Sequence, residues 1–389
     1  MSVFLPLVQV ERQTIRPLSA ICAARQMRPN HIGRWLFTPD GITDGYLRIE
    51  GSAVTEVVSG TPPSDSRKAL ILPGFVNAHT HIGDSVGYPA PKGSVREIVG
   101  PPDGYKFRIL TSATKEQKKK AIKEAVDAIA SSGTALFVDF REEGIEGVKF
   151  FKSAMPEGAP DSIVLGRPAG KGSPDTEIEE LLMASDGIGM SALSDWPLDL
   201  LQKASARARS MGKLFSLHAS EATREDIDAI LDLKPSFVIH MASATDDDLI
   251  KCRDAGVPIV VCPRANEFFG LRPDIPRLVR HDLTVGLGTD NGMISKPDML
   301  LELQAAYRLC RTDPKMTPSE IVYLATFGGH KVLNAEGKIT TEISQTQAIT
   351  VVDIRGEDPL KEVVTTASSD SVSAVIRGGR IRRPRTWRE

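Results

Sequence analysis

Short apolar runs recur through the middle of the chain, and a segment with helical periodicity follows most of them. We predict strands at 71–79, 134–140, 162–166, 186–193, 214–218, 237–241, 258–262 and 284–289. Continuous apolar runs that alternate with helices are typical of parallel strands covered by helices. Eight such units in succession have the length and pattern of an α/β fold, the (β/α)₈ TIM-type barrel.

One of the predicted helices is clearly delimited by its sequence. Thr114 can cap its first turn, and Gln117 completes a capping box. Apolar residues recur at helical spacing from Ile122 to Ile129, and Gly133 ends the pattern. Further helices are predicted at 176–184, 198–211, 224–231, 246–255 and 298–311.

The two ends of the chain have a different pattern, which alternates apolar and polar residues. Gly51 interrupts one such stretch, and Gly378-Gly379 interrupts another, so each is predicted to be a hairpin. We expect both ends to pair into one small β-sandwich domain. The predicted division is therefore 1–70 and 336–389 for the small domain and 71–335 for the barrel, with only weak signals in residues 1–33.

Composition narrows the class of protein. Lys and Arg total 48 and Asp and Glu total 50, which excludes binding to nucleic acid or anionic membranes mainly by charge. No apolar run is long enough to span a bilayer, so no membrane association is expected. The four cysteines are scattered without a CxxC pair, which excludes a disulfide scaffold and favours a reducing, cytoplasmic setting.

Candidate metal ligands fall at the ends of the predicted strands. Four of the seven histidines lie there, namely His79, His81, His218 and His240, and Asp290 ends the eighth strand. Barrel enzymes keep their sites at this end of the strands. His79 and His81 are two residues apart on one strand, so both side chains face the same side. Imidazoles grouped with a carboxylate suit a divalent ion such as zinc or iron.

Taken alone, each of these residues could also have a purely structural role. The two histidines of strand 1 could be hydrogen-bonded to each other, His218 could be a core residue, and Asp290 could belong to a turn. Their coincidence at four strand ends favours the metal site. His31, His281 and His330 lie elsewhere and are expected to be structural or exposed.

Candidate substrate residues follow other strands. Arg141 and Arg167 come after strands 2 and 3, where two guanidiniums could bind a carboxylate or phosphate. The alternative is pairing with neighbouring acids such as Glu142. Trp196 could stack on a planar ring or simply pack, and Asn266 could bond a heterocycle or shape a turn.

Several motifs resemble one known superfamily. The segments PGFVNAHTH, HASE, VIH, VVCPRAN and GLGTDN are similar to those of the metal-dependent amidohydrolase superfamily. The nearest branch is cytosine deaminase-like, and it also holds guanine deaminase, adenosine-analogue deaminases and the triazine hydrolases. The resemblance covers about Ile71 to Leu333, and ATFGGHKVLN and AITVVDIRG resemble the return into the family's small β-sandwich.

The resemblance implies roles for individual residues. It implies one divalent metal, zinc foremost and iron or manganese as alternatives, with the ligands His79, His81, His218 and Asp290. His240 would contact the metal-bound water or the substrate, and Glu221, the acid of HASE, would carry a proton. The alternative for Glu221 is an acid at the start of a helix. The segment GIGMSALSDW has no lysine, so the second metal of another branch is not expected.

The predicted function is hydrolysis of non-peptide C–N bonds in a small-molecule substrate. We expect deamination, of the EC 3.5.4 type, of a planar nitrogen-rich nucleobase, nucleoside or related heterocycle by a metal-bound hydroxide. The alternative is hydrolysis of a cyclic amide or a chloro-heterocycle at the same site. A third hypothesis is a non-catalytic scaffold protein. The presence of all the expected ligands argues against it. Related barrel enzymes often form homodimers, but no residue here identifies one.

Overall fold

Two sheets contain all the strands that the structure describes. The computed structural model describes residues 30–51, 53–170, 175–333 and 348–382, so the predictions for residues 1–29 and for the boundary at 335/336 lie outside it. The strands are β1 (Asn30–Ile32), β2 (Trp35–Thr38), β3 (Gly41–Glu50), β4 (Ala53–Ser59), β5 (Ala69–Pro73), β6 (Phe75–His81), β7 (Thr134–Arg141), β8 (Asp161–Gly166), β9 (Gly187–Met190), β10 (Leu214–Ala219), β11 (Phe237–His240), β12 (Ile259–Val261), β13 (Val285–Leu287), β14 (Asp290–Asn291), β15 (Ala348–Asp353), β16 (Val372–Arg377) and β17 (Arg380–Arg382).

Helices connect most of the central strands. The α-helices are α1 (Val95–Ile98), α2 (Tyr105–Ser112), α3 (Lys115–Ser131), α4 (Gly144–Ala154), α5 (Asp175–Ala184), α6 (Leu198–Ser210), α7 (Ile227–Asp232), α8 (Asp246–Asp254), α9 (Pro263–Phe268), α10 (Ile275–Arg280), α11 (Met299–Cys310), α12 (Pro318–Tyr323), α13 (Gly329–Val332) and α14 (Pro359–Thr365). Short 3₁₀ helices lie at Ile82–Gly87, Leu193–Asp195 and Ser369–Ser371, and a π-helical turn lies at Leu324–Gly328.

The central sheet has nine strands in the order β13-β12-β11-β10-β9-β8-β7-β6-β14, and all of its pairings are parallel. Each of the eight predicted strand segments overlaps one of its strands. Strand β14 follows β13 after two residues and pairs with the end of β6, so the last strand of the sheet returns to the first. This return is the closure expected of a barrel.

A pair of buried hydrogen bonds joins the two ends of the central sheet. The Asn77 Nδ2 donates to Thr289 Oγ1 at 2.7 Å, and the Thr289 backbone N–H donates to Asn77 Oδ1 at 2.9 Å. A buried amide is costly unless both of its ends are hydrogen-bonded, so this pairing specifies the register of closure. It places Asp290, the next residue, beside the end of β6.

The predicted capping box of α3 is present. The Thr114 side chain accepts from the Gln117 backbone N–H at 3.2 Å, and Gln117 Oε1 accepts from the Thr114 backbone N–H at 2.8 Å. The apolar face from Ile122 to Ile129 is buried, as its spacing predicts. The helix predicted at 224–231 begins later, at Ile227, because the Asp226 side chain caps it there.

Strands from both ends of the chain form the second sheet, in the order β1-β3-β2-β5-β15-β16-β17-β4. The β3–β4 and β16–β17 hairpins occur where the glycines predict them. The predicted β-sandwich is one continuous sheet in its hydrogen bonding, because β3 pairs with β2 through its first half and with β4 through its second. The sheet encloses its own apolar cluster, which includes Leu36, Leu47 and Val351.

The chain passes from one sheet to the other at Gly74. The single strand predicted at 71–79 is two strands, because β5 pairs antiparallel with β15 whereas β6 pairs in parallel with β7. The predicted boundary at 70/71 therefore falls inside β5. A Cβ on Gly74 would lie 2.3 Å from Ala135 Cβ, so the two sheets approach too closely there for any larger residue.

None of the helices in the described parts of the chain combines the length and the apolar character that crossing a membrane requires. Three cysteines lie within these parts, and Cys252, Cys262 and Cys310 are all buried and unpaired. Burial raises the pKa of the Cys252 and Cys310 thiols to about 12, so both remain protonated and unreactive at neutral pH.

Substitution Gly74→Ala tests the close approach of the sheets. We expect a loss of about 1–3 kcal/mol in the free energy of unfolding, because neither Ala135 nor its strand can move away from the added methyl group. Urea unfolding of Gly74→Ala, Ala135→Gly and the double variant measures this. The double variant should recover most of the loss. Strictly additive effects in this cycle would show that the contact with Ala135 is unimportant.

Candidate active site

The predicted metal ligands meet at the carboxyl ends of the central strands. One potential ligand atom from each of four side chains lies within 4.8 Å of the others. These side chains are His79, His81, His218 and Asp290. They come from β6, β10 and β14, which are separate in sequence and are brought together by closure of the sheet.

The ring nitrogens and the carboxylate converge closely. The distance from His79 Nε2 to Asp290 Oδ1 is 3.2 Å, and that from His81 Nε2 to His218 Nε2 is also 3.2 Å. His81 Nε2 lies 3.7 Å from the same Asp290 oxygen. Nitrogen and oxygen atoms gathered around one point in this way form the donor set that divalent zinc or iron prefers.

The second nitrogens of two of these rings have polar partners. His218 Nδ1 lies 2.8 Å from the Met190 carbonyl oxygen, to which it can only donate. A proton on this Nδ1 leaves the His218 Nε2 lone pair directed into the site, which is the usual outer support of a metal-binding histidine. His81 Nδ1 lies 3.3 Å from Glu142 Oε1 and 3.4 Å from Lys106 Nζ.

Burial keeps the ligand imidazoles neutral. It lowers the pKa of His79 and His218, and together with the Lys106 charge it lowers the pKa of His81 to about 3. Burial also raises the pKa of Asp290, but the hydrogen bond with His79 and the electrostatic interactions with His79, His240 and His81 together outweigh this effect and hold the pKa below its ordinary value. Neutral imidazoles beside an ionised carboxylate are the protonation states that metal binding requires. These residues therefore fit a divalent metal.

Several residues at this end of the sheet adopt a left-handed backbone conformation. The φ angle is 79° at His240, 58° at Met241, 57° at Asp290 and 45° at Ser220. Such angles are uncommon and costly for residues other than glycine, and they concentrate at functional sites. Here they turn the chain sharply as it leaves β10, β11 and the end of β13.

Glu221, His240 and Asn266 form a second group beside the ligands. His240 Nε2 lies 3.6 Å from Glu221 Oε1, and Asn266 Nδ2 lies 3.3 Å from His240 Nδ1 and 3.4 Å from Glu221 Oε1. An amide that donates to His240 Nδ1 leaves the proton of that ring on Nε2. Burial raises the pKa of Glu221 more than the His240 charge lowers it, so this carboxyl group can hold a proton closer to neutrality.

A cavity of about 100 Å³ opens onto both groups. His81, His218, Glu221, His240 and Asp290 lie on its wall. The Gly- and Pro-rich segment after β6 covers it, since Val95, Val99, Gly100 and Pro101 also line it. This segment is the long connection between β6 and α2, and it contributes apolar side chains to the cavity wall.

A cluster of buried charges next to His81 was missed in the sequence. Lys106 contacts Asp84, Glu142 and the His81 ring, and Arg167 donates to Glu142 Oε1 at 3.0 Å. Lys106 and Asp84 lie in the connection after strand 1, where no periodicity marks them. Glu142 appeared in the sequence only as a partner for an arginine. Only Glu142 has a signal in the sequence, because charged residues are concentrated directly after strand 2.

The candidate substrate residues have different surroundings. Arg167 lines the cavity, whereas Arg141 lies outside its wall and pairs with Asp139 through Nε at 2.9 Å and also through Nη2. Asn266 contacts Glu221 and His240, as described above. The Trp196 Nε1 donates to Ser191 Oγ at 2.8 Å, and its ring packs against the core.

The three remaining histidines lie away from the candidate site. His281 Nε2 pairs with Asp246 at 3.0 Å on the surface. The His31 ring packs edge-on against Tyr46 in the small sheet. His330 lies in α13, where burial lowers its pKa to about 4. All three match the structural or exposed positions expected from the sequence.

Comparisons with known proteins identify similar sequences and similar folds. A protein of Archaeoglobus fulgidus provisionally named an aminohydrolase is 34% identical over 305 residues, which is 77% of this chain and 86% of that protein. The solved structure of guanine deaminase from C. acetobutylicum with bound guanine has a TM-score of 0.74 at 15% identity, covering 91% of this chain and 100% of that one. An adenosine deaminase from Xanthomonas campestris with bound zinc has a TM-score of 0.70 at 16% identity, covering 91% and 93%.

The two solved structures show similarity of fold only, since their sequences are distant. The family assignment comes from the sequence. The profile of the Amidohydrolase family matches residues 70–382, which is most of the chain and includes the central sheet and the later strands of the second sheet. The chain therefore belongs to the Amidohydrolase family, a family of metal-dependent hydrolases.

Proposed function

We propose that this protein is a metal-dependent hydrolase that deaminates a planar, nitrogen-rich small molecule. The observation that carries the proposal is the arrangement around one cavity. Three neutral imidazoles and an ionised Asp290 face a carboxyl group, Glu221, whose pKa is raised by burial. The imidazoles and Asp290 suit a divalent metal, and Glu221 suits proton transfer.

We assign the metal to His79, His81, His218 and Asp290. Zinc is the metal we favour, supported by the donor set and by the bound zinc of the similar adenosine deaminase. A divalent metal there supplies a Lewis acid that lowers the pKa of a coordinated water from about 15.7 to about 7. The (β/α)₈ barrel with a small β domain from both chain ends is the architecture in which we place this site.

The remaining steps are assigned to residues of the chain. Deamination forms a C–O bond to the ring carbon, breaks a C–N bond and releases ammonia, so the leaving nitrogen must gain a proton. Asp290 accepts a proton from the attacking water, and Glu221 delivers one to the leaving nitrogen. His240, with its proton on Nε2, donates a hydrogen bond to the oxygen that adds to the ring. Asn266 holds both Glu221 and His240 in position.

Metal analysis tests the ligand assignment. We expect the purified, zinc-reconstituted protein to hold about one equivalent of zinc, since the four ligands form a single site. His218→Ala should lose most of this zinc because it removes a ligand from the centre of the set. His281→Ala is the matched control, because that imidazole pairs with Asp246 on the surface. Full zinc content in His218→Ala would refute the assignment.

An ammonia-release screen tests the reaction. Purines, pyrimidines, pterins and triazines are incubated with the zinc-loaded protein, and ammonia is measured by a coupled assay. We expect release from one ring class. Product formation without ammonia, such as chloride release or opening of a cyclic amide, would replace deamination by the alternative hydrolysis at the same site.

Substitution Glu221→Gln tests the proton carrier. With the substrate that the screen identifies, we expect turnover to fall about 10²–10⁴-fold while zinc content stays unchanged, because the amide cannot transfer a proton. Glu143→Gln is the control, since that carboxylate is largely exposed and pairs with Lys118. Normal turnover in Glu221→Gln would remove this residue from the mechanism.

A further inference from the structure

Two buried cations meet on the wall of the candidate cavity. Arg167 and Lys106 are 6% and 3% exposed, and both line the cavity. Both also contact the same atom, Glu142 Oε1, so their charged groups are close neighbours. They belong to different elements, because Arg167 follows β8 whereas Lys106 lies in α2, beyond the segment that covers the cavity.

The guanidinium of Arg167 has donors that the protein does not use. Its Nη1 donates to Glu142 Oε1 at 3.0 Å, and its Nε donates to the Gly189 carbonyl at 3.2 Å. Its Nη2 is buried and has no hydrogen-bond partner among the described residues. A buried donor without an acceptor is destabilising, and a guanidinium binds a carboxylate well because its donors are fixed in one plane. This side chain is therefore held in place with one donor group unused.

The ammonium of Lys106 differs from that guanidinium, because it has three polar contacts within the protein. It pairs with Asp84 Oδ2 at 2.9 Å and with Glu142 Oε1, and it lies 3.4 Å from His81 Nδ1. Its contribution to the cavity wall is therefore a fixed positive charge beside Arg167.

Arg141, the other arginine that the sequence suggested for this role, has its guanidinium engaged elsewhere. It binds Asp139 through two nitrogens, lies over the Phe151 ring, and stays outside the cavity wall. Lys106, and not Arg141, is therefore the second cation beside Arg167 on the cavity wall. The two cations that reach the cavity come from the side of β6–β8, whereas Glu221 and His240 come from β10 and β11.

We propose that Lys106 and Arg167 bind a carboxylate of the substrate, so that the substrate class is an acidic heterocycle. This proposal rests on the proposed function, because it concerns the same cavity. The unused Nη2 of Arg167 would donate to the carboxylate, the adjacent charge of Lys106 would attract it, and the ring would extend from it towards Glu221. A carboxylate suits the one unused donor group and the small cavity better than a phosphate, which has more oxygens to satisfy. Binding at this end would fix which ring carbon faces the catalytic group.

The test compares two probes of equal shape. Pyridine-3-carboxylate and pyridine-3-carboxamide differ only in the acidic group, and calorimetric titration measures their binding to the full-length, zinc-reconstituted protein. We expect the carboxylate to bind at least about tenfold more tightly. Lys106→Met and Arg167→Met should each abolish most of this preference. Lys118→Met, which removes a cation paired with Glu143 outside the cavity wall, is the control and should retain it.

The outcomes separate this proposal from that of deamination. Equal binding of the two probes, or a preference that survives in both methionine variants, would overturn the carboxylate site. Displacement of pyridine-3-carboxylate by an equal concentration of inorganic phosphate would also overturn it, in favour of a phosphate. If the methionine variants do not fold, Arg167→Lys and Lys106→Arg keep the charge, and they should retain part of the preference. These measurements involve no turnover, so ammonia release succeeds or fails independently of them.

Discussion

Closure of the central sheet is the constraint on which the candidate site depends. Two of the three strands that carry the metal ligands are neighbours only because β14 pairs with β6. The Asn77–Thr289 hydrogen bonds specify that register inside the core. A shift by one residue would move Asp290 away from His79 and would turn the side chains of β14 to the opposite face. The geometry of the ligands is therefore a property of the closed sheet, and no single loop determines it.

The buried acids and cations around the site are paired with one another in small groups. This pairing makes their burial possible. Each buried acid near His81 has a cation in contact, as Glu142 has Lys106 and Arg167 and Asp139 has Arg141. Pairing of this kind offsets the large cost of removing ions from water. The pairing also fixes the positions of these side chains, because removal of either partner leaves the other charge unpaired. The candidate ligand histidines are therefore surrounded by charges of fixed position, and they remain neutral there.

Much of this arrangement could be predicted from the sequence, because it depends on local patterns. Apolar runs predict eight of the nine central strands, and the positions of histidines at strand ends predict the group of candidate metal ligands. The contributions of Lys106 and Asp84 could not be predicted, since they lie in a long connection whose path is set by packing against the sheet. The passage of the chain from one sheet to the other at Gly74 could not be predicted for a related reason. Strands in both sheets are apolar there, and hydrophobicity alone does not show which partner each will take.

The pairing of chain ends has a consequence for the order in which the protein can assemble. Strand β5 leads into β6 through one residue, and its partner β15 lies more than 270 positions later in the sequence, with Leu72 opposite Thr350. The partner of Asn77 is 212 residues away. Contacts of such long range cannot form until the later of the two segments has emerged from the ribosome, and they slow folding because long loops must close first. The strand that carries His79 and His81 reaches its final surroundings only after β14, more than 200 residues later, has been synthesised.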